Sequence, residues 1–449
     1  MKIVIVGAGV VGLHLAKTLS WQEYDVSIID RKQSLVDRAA GSLDVMAIRG
    51  SGTSIKTLLE AGVDDADLLI AVTSIDEVNI VACVLAKQLG AKTRIARVRN
   101  QEYSSPDVPI NLAELGIDQI IHPELEAARE VERMIRYHQA VDIVECAGGK
   151  MMLVGFKITS NSDIIKKPLM ALTPQYPDIS LRIVAIGRGA ETIIPSGTDV
   201  ILPDDTIYIM THQRNLDRVF QMAGKSGNVS FDVMLLGGGL VGRLVAGRLE
   251  QDKRFNIKLI ESDKDRSQIA AETLENTIVV RGDEEMDIDL MVMEGIEEMG
   301  VFAALSDDDE NNIVTSLFAR HMRVPRTITL STKPEYSPIA RAIGLDAAVN
   351  ELILTSDAIL KHLLGARILA VATLRGIEAD IVEFLVAAGS KAAGLKLKET
   401  SFPKGAIIGA IEHLGEVVVA EGDSVIYAGD TLVAFCIPDT IPELEKLFR

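Results

Sequence analysis

The chain has 449 residues, with 46 Lys and Arg against 64 Asp and Glu, a formal net charge of −18. That balance argues against a nucleic-acid binder, which needs a basic patch for the phosphates, and disfavours direct adhesion to anionic lipid. An apolar fraction of 48% is too high for a disordered chain, and three scattered cysteines (Cys83, Cys146, Cys436) build neither a disulfide framework nor a CxxC metal site; a reducing compartment fits them.

In chain order, the first apolar run covers residues 3–13 after Lys2. Alone it could pass for the core of a secretory signal, but Gly7, Gly9 and Gly12 interrupt it and no small-residue cleavage site follows. It reads instead as a strand at 3–6, a glycine turn and a helix at 10–19. Strands are predicted at 26–29, 45–48, 68–72, 94–98 and 119–121, with helices at 54–61 and 78–89 between them. These strands are continuously apolar rather than alternating, which implies burial on both faces and a parallel sheet with right-handed crossovers. The next segment changes character: strand runs are separated by Gly, Pro and Asp turns, as in IPSGTDVILPDDT (194–206), and an alternating apolar run at 207–210 leads to a helix at 213–223. This predicts a small antiparallel α+β domain. MAGKSGN (222–228) is small and polar, a linker.

After the linker the chain repeats itself. KIVIVGAGVVG (2–12) returns as DVMLLGGGLVG (232–242), VSIID as IKLIE, IRG as VRG, and AVTSIDEVN (71–79) as ALSDDDENN (304–312). Strands are expected again at 233–236, 257–260, 278–280, 302–305, 327–330 and 347–349. VILPDDT (200–206) returns as VIYAGDT (425–431), followed by an apolar run at 432–435 and a helix at 441–448. The predicted organisation is four modules in two copies: 1–140, 141–224, 230–364 and 365–449. The fold class is α/β, with two doubly wound parallel sheets, each followed by a small α+β domain. No run reaches the ~18 apolar residues of a membrane helix, so no direct membrane insertion is expected.

The glycine turn carries the chemistry. In G-A-G-V-V-G the first Gly permits the tight turn, the second lets backbone approach a pyrophosphate, and the third lets the helix pack on the strand, a Rossmann-type arrangement. The helix N-terminus then presents free N–H groups and a positive dipole end. Asp30 closes the second strand, where a carboxylate accepts from ribose hydroxyls and repels a 2′-phosphate. NAD(H), ATP or ADP is therefore favoured over NADP. Candidate contacts are Gly7, Ala8, Gly9, Val10, Val11, Gly12 and Asp30, with Ser51, Thr73, Ser74 and Arg97 from the ends of later strands. In the second copy they are Gly237, Gly238, Gly239, Leu240, Val241, Gly242 and Glu261, with Asp283 and Ser306. Leu330 stands where the first copy has Arg97, and Asp307 where it has Ser74, so the two sites are expected to differ in phosphate preference. GKS at 224–226 lacks the upstream glycine of a P-loop, and hydrolysis is not predicted.

A dehydrogenase would need an acid or base beside a nicotinamide and a substrate domain. None of the seven histidines is repeated or clustered, and His122, after the sixth strand, is the nearest candidate. No HExxH, GxSxG or Cys–His pattern is present. Two nucleotide folds without chemistry read as a sensor whose ligand shifts a conformational equilibrium. An NAD-dependent oxidoreductase is the alternative.

KIVIVGAGVVG, IID, IRGSGTS and the run LLEAGVDDADLLIAVTSIDEVNIVACVLAKQLGAKTRIARVRNQEY together resemble the RCK (KTN) domain, the regulator of potassium conductance. IIPSGTDVILPDDTIYI and EGDSVIYAGDTLVAF resemble its companion C-terminal domain, and the duplicated order over the whole chain resembles the regulatory subunits of Trk potassium uptake systems. The resemblance implies a non-enzymatic subunit that binds NAD(H) and ATP or ADP. It implies homo-oligomeric rings, such as tetramers built as dimers of dimers, docked on the cytoplasmic face of a TrkH-type potassium-translocating membrane subunit. A nucleotide sensor serving another ion transporter is the alternative partner assignment.

Overall fold

A computed structural model describes the chain except residues 22–23, 105–110, 161, 163, 190, 225–230, 283–287, 364–367, 374–376 and 378. The chain divides into two units, Met1–Arg136 with Ser230–Leu360, and Tyr137–Val229 with Lys361–Arg449. Like modules therefore share a unit: the two glycine-loop modules form one, and the two antiparallel modules the other.

In the first unit, β1 (Lys2–Val6), β2 (Asp25–Asp30), β3 (Met46–Arg49), β4 (Leu68–Ala71), β5 (Thr93–Arg97) and β6 (Gln119–Ile121) form a sheet in the order β3-β2-β1-β4-β5-β6. Neighbouring strands in it run parallel. Ile3 to Val6 and Leu68 to Ala71 are buried at every position, as continuous apolar runs require when helices cover both faces. The order reverses between β1 and β4, and ligands of such sheets lie outside the carboxyl ends at that switch point.

The helix Pro123–Arg136 has the largest amphipathic contrast in this module, and its apolar stripe is Ala127, Ala128, Val131, Met134 and Ile135. That stripe is buried in the core of the second copy, among Val245, Leu249, Phe255 and Ile257. Burying each of its three larger side chains contributes about 1.5–3 kcal/mol, so the helix fastens one copy to the other. Arg136 adds an ion pair to Asp252 at 2.8 Å.

In the second unit, β7 (Asp142–Cys146), β8 (Met151–Lys157), β9 (Leu181–Arg188), β10 (Glu191–Ile193) and β11 (Thr206–His212) make an antiparallel sheet in the order β10-β9-β11-β8-β7. The second glycine-loop module, back in the first unit, repeats the parallel order as β14-β13-β12-β15-β16-β17, from β12 (Phe231–Leu236), β13 (Phe255–Glu261), β14 (Ile278–Arg281), β15 (Val301–Ala304), β16 (Arg326–Ser331) and β17 (Ala347–Asn350). The last sheet, β18-β19-β22-β20-β21, is built from β18 (Ile368–Thr373), β19 (Asp380–Leu385), β20 (Ala406–His413), β21 (Glu416–Val419) and β22 (Thr431–Cys436).

Two expectations for the antiparallel modules change. The runs at 207–210 and 432–435 are buried at every position instead of alternating. Ile207 and Ile209 face their own helix through Leu216, Val219 and Phe220, while Tyr208 and Met210 enter a core shared with Val433 and Phe435 of the other copy. A sheet covered on both faces has no polar side to expose. The segments at 194–206 and 419–431 are also mostly loop. Val200 and Val425 make only isolated bridges, to Pro168 and Lys396, because closely spaced Gly, Pro and Asp turns leave no room for a ladder. The repeated acid of those loops holds them in shape. Asp205 accepts from Arg188 and from the Leu202 N–H, and Asp430 meets His413 and the Tyr427 N–H.

Candidate nucleotide sites

The first glycine turn is held by close approach on two sides. Gly7 has φ 110° and donates to the Ile29 carbonyl at 2.8 Å. A Cβ on Gly12 would lie 1.8 Å from the Gly7 carbonyl oxygen, so only glycine lets the helix Val10–Trp21 pack on the turn. Gly9 is the opposite case, since a Cβ there meets nothing within 4 Å. Its missing side chain keeps open the space a phosphate would use, beside the unsatisfied N–H groups of the helix's first turn. Ala8 and Val11 are buried and Val10 is exposed.

Asp30 already binds two backbone donors, accepting from the Ala8 N–H and the Lys32 N–H, each at 2.8 Å. Each carboxylate oxygen retains a further lone pair, so the group is oriented for a ribose hydroxyl rather than consumed by the loop. Ser51 follows β3, with its hydroxyl 2.9 Å from that of Thr53.

Sequence reasoning missed a buried pair of asparagines. Asn79 accepts from the Thr73 N–H at 2.9 Å and hydroxyl at 2.7 Å, and donates to the carbonyls of Thr73 and Arg97. It thereby ties the end of β4 to β5, and turns the Thr73 hydroxyl inward while Ser74 stays exposed. Asn312 repeats the set with Ser306 and Leu330. The signal was present: Asn closes both AVTSIDEVN and ALSDDDENN, at a helical position where an asparagine is otherwise unfavourable.

Arg97 lies at the end of β5 as predicted, but its side chain is buried, donating to the Thr73 carbonyl at 3.2 Å and standing 4.0 Å from Glu351 of the second copy. Arg99 pairs with Glu124 beside it. Burial and the neighbouring Arg99 charge lower the pKa of Arg97, and burial followed by the nearby Glu124 raises that of Glu351. The first site is therefore backed by charges drawn from both copies.

The second site keeps the backbone geometry. Gly237 has φ 108° and donates to the Ile260 carbonyl at 2.8 Å. A Cβ on Gly242 would lie 1.9 Å from the Gly237 carbonyl oxygen. Leu240 and Val241 begin its helix, Leu240–Leu249. Glu261 accepts from the Gly238 N–H at 2.5 Å and from the Asp263 N–H at 2.8 Å, matching Asp30. Its side chain is one methylene longer, and the loop residue it contacts is Gly238 where the first copy has Ala8. Asp283 lies outside the described residues.

The TrkA-N domain model matches residues 3–123 and 233–351, and the TrkA-C domain model matches 153–224 and 381–449. The "Trk system potassium uptake protein TrkA homolog 2" of Methanosarcina mazei is 35% identical over the full length of both chains. The "Trk system potassium uptake protein TrkA" of Haemophilus influenzae is 34% identical over 100% of this chain and 99% of its own. Among solved structures, "GsuK channel bound to NAD" shares the fold at TM-score 0.60 and 16% identity, covering 100% of this chain and 78% of that one. With both domain models matched twice and full-length relatives at this identity, the chain belongs to the TrkA family of Trk-system potassium uptake proteins.

Proposed function

We propose that this chain is the nucleotide-sensing regulatory subunit of a Trk-type potassium uptake system, and that it gates the system without chemistry of its own. Its ligands are NAD(H) and ATP or ADP, held by Gly7 to Gly12, Asp30, Ser51, Thr73, Ser74 and Arg97 in the module at 1–140. In the module at 230–364 they are held by Gly237 to Gly242, Glu261, Asp283 and Ser306. The modules at 141–224 and 365–449 serve assembly into a homo-oligomeric ring, a tetramer made as a dimer of dimers. The ring docks on the cytoplasmic face of a TrkH-type membrane subunit. No helix among the described residues is long and apolar enough to cross a membrane, which suits a peripheral subunit.

The observation that carries this reading is the preoriented Asp30 carboxylate beside an open Gly9, in a chain whose full-length relatives are Trk-system proteins. Gating requires that a nucleotide bind two ring states unequally, since only that difference can shift the pore equilibrium. The test is potassium flux through vesicles containing the TrkH-type subunit with this chain added. ATP, ADP and NADH should change the flux to different extents. Equal flux under all three, or failure of the two proteins to co-purify, defeats the proposal. Steady NADH oxidation with a small carbonyl substrate would defeat its non-enzymatic part.

A further inference from the structure

Among the positions at which the two copies differ around the glycine turn, three that gain a charge in the second copy lie close together. Where the first copy has Leu13, Leu35 and Ser74, the second has Arg243, Arg266 and Asp307. Arg266 and Asp307 form an ion pair at 2.8 Å. A Cβ on Gly239 would lie 3.8 Å from the Arg266 guanidinium and 4.0 Å from the Asp307 carboxylate. The pair thus lies over the loop position that is open at Gly9. Arg243 reaches the neighbouring loop residue, donating to the Gly238 carbonyl at 2.6 Å. Two guanidiniums are therefore close to the turn, one of them paired with the exposed Asp307 carboxylate. Burial and the proximity of Arg266 lower the pKa of Arg243, so an anion arriving here relieves a like-charge repulsion.

We infer that the Arg266–Asp307 pair is a displaceable latch over the second site, and that Arg266 and Arg243 make this site select nucleotides ending in charged phosphates, ATP or ADP, over NAD. The inference rests on the proposed nucleotide-binding reading and assigns the second site its ligand class. The added cations lie over Gly239, where a pyrophosphate approaches backbone, and not at Glu261, where ribose is read. Terminal phosphates carry the charge that profits from them, whereas the bridging diphosphate of NAD carries less. Both partners of the latch are partly exposed, 45% and 78% at their side chains, and such a pair contributes little by itself. Exchanging Asp307 for a phosphate oxygen is therefore easy, and gives Arg266 a fork-shaped contact.

The test uses the full chain carrying Gly9→Val, which fills the open space of the first site, where an added Cβ has no protein atom within 4 Å. Binding of ATP and NAD is measured calorimetrically at low and high salt, with Arg266→Leu, Arg243→Leu and Asp307→Ser added singly. These changes install the first copy's own residues, so the fold has a precedent for each. Arg266→Leu should weaken ATP about tenfold, the loss of one charge-assisted contact, and flatten its salt dependence, with NAD moving less than about twofold. Asp307→Ser should tighten ATP severalfold. Equal loss of ATP and NAD in Arg266→Leu, or no tightening in Asp307→Ser, overturns the latch. If the Gly9→Val chain binds no nucleotide while the parent binds one, the second site is empty and the inference fails although the proposed function survives. If the parent binds none, the proposed function itself fails.

Discussion

Gly238→Ala tests whether the carboxylate and the loop residue beside it form one steric unit. An ideal Cβ at Gly238 lies 3.0 Å from Cβ and Cγ of Glu261 and 3.1 Å from its Oε2. Glu261 cannot simply retreat, because both its oxygens are held by backbone N–H groups, of Gly238 and Asp263. Crowding of this kind costs typically about 1–3 kcal/mol. Reducing the freedom of the unfolded chain returns about 0.4–1 kcal/mol, since Gly238 is not among the residues with positive φ. A net destabilisation of about 1–2 kcal/mol is expected from these terms. Glu261→Asp in the same chain recreates the Ala8–Asp30 pair of the first copy and should recover most of the loss. The assay is a double-mutant cycle in urea unfolding, followed by a signal of the first unit and needing no ligand. A coupling energy of about 1 kcal/mol or more is expected for residues in contact. Additive effects of the two substitutions would refute the steric argument.

The other predictions concern the first site and the second unit. Gly12→Ala should disrupt the first turn and abolish nucleotide binding there, because its Cβ would overlap the Gly7 carbonyl, whereas Gly9→Val should leave thermal unfolding unchanged and lose only ligand affinity; equal behaviour of the two in calorimetry and melting would contradict the geometry. Asn79→Ala leaves the buried carbonyl of Arg97 and the Thr73 N–H without their partner and should cost about 2–3 kcal/mol, read from urea midpoints, with Asn312→Ala doing the same in the second copy. In the second unit, burial pushes the Asp205 carboxyl up, but the Arg188 guanidinium and the Leu202 N–H more than offset it, so the folded pKa is lowered. A lowered folded pKa stabilises above the unfolded carboxylate value of about 3.9 and is lost as pH falls through the folded value. Asp205→Asn should flatten the acid limb of stability below about pH 4, measured by far-UV unfolding across pH, and an unchanged limb would count against the Arg188–Asp205 contact.

Local chemistry made much of this molecule readable in sequence. Continuous apolar runs announced both parallel sheets, and glycine spacing with a following acid marked both turns. What remained hidden depends on pairing across long separations. The stripe Ala127–Ile135 is visibly amphipathic, yet nothing local says that it covers the other copy's sheet. The run at 207–210 was expected to alternate, because its second apolar partner, around Val433 and Phe435, is far away in the chain. Arg97 was placed correctly at the end of β5, but Glu351 beside it belongs to the second copy. Asn79 and Asn312 were legible in principle, since both close the aligned motif, but their role required knowing that β4 and β5 end side by side.

Comparing the copies separates what shape demands from what charge permits. Within the glycine turn, the residues that a Cβ would push into backbone are unchanged between them: Gly7 and Gly237, Gly12 and Gly242. Where side chains meet, the change is paired. Ala8 with Asp30 becomes Gly238 with Glu261, preserving the hydrogen bond from loop N–H to carboxylate. Arg188 with Asp205 becomes His413 with Asp430, preserving the turn before the central strand. The rim keeps no such constancy of type: Leu35 and Ser74 become Arg266 and Asp307, which form an ion pair. In the turn, a Cβ at Gly12 or Gly242 within 2 Å of a backbone carbonyl leaves no alternative residue, whereas a rim position can change charge at little cost to folding. Two sites on one scaffold therefore diverge first in the charge they offer a ligand and last in the turn that holds it.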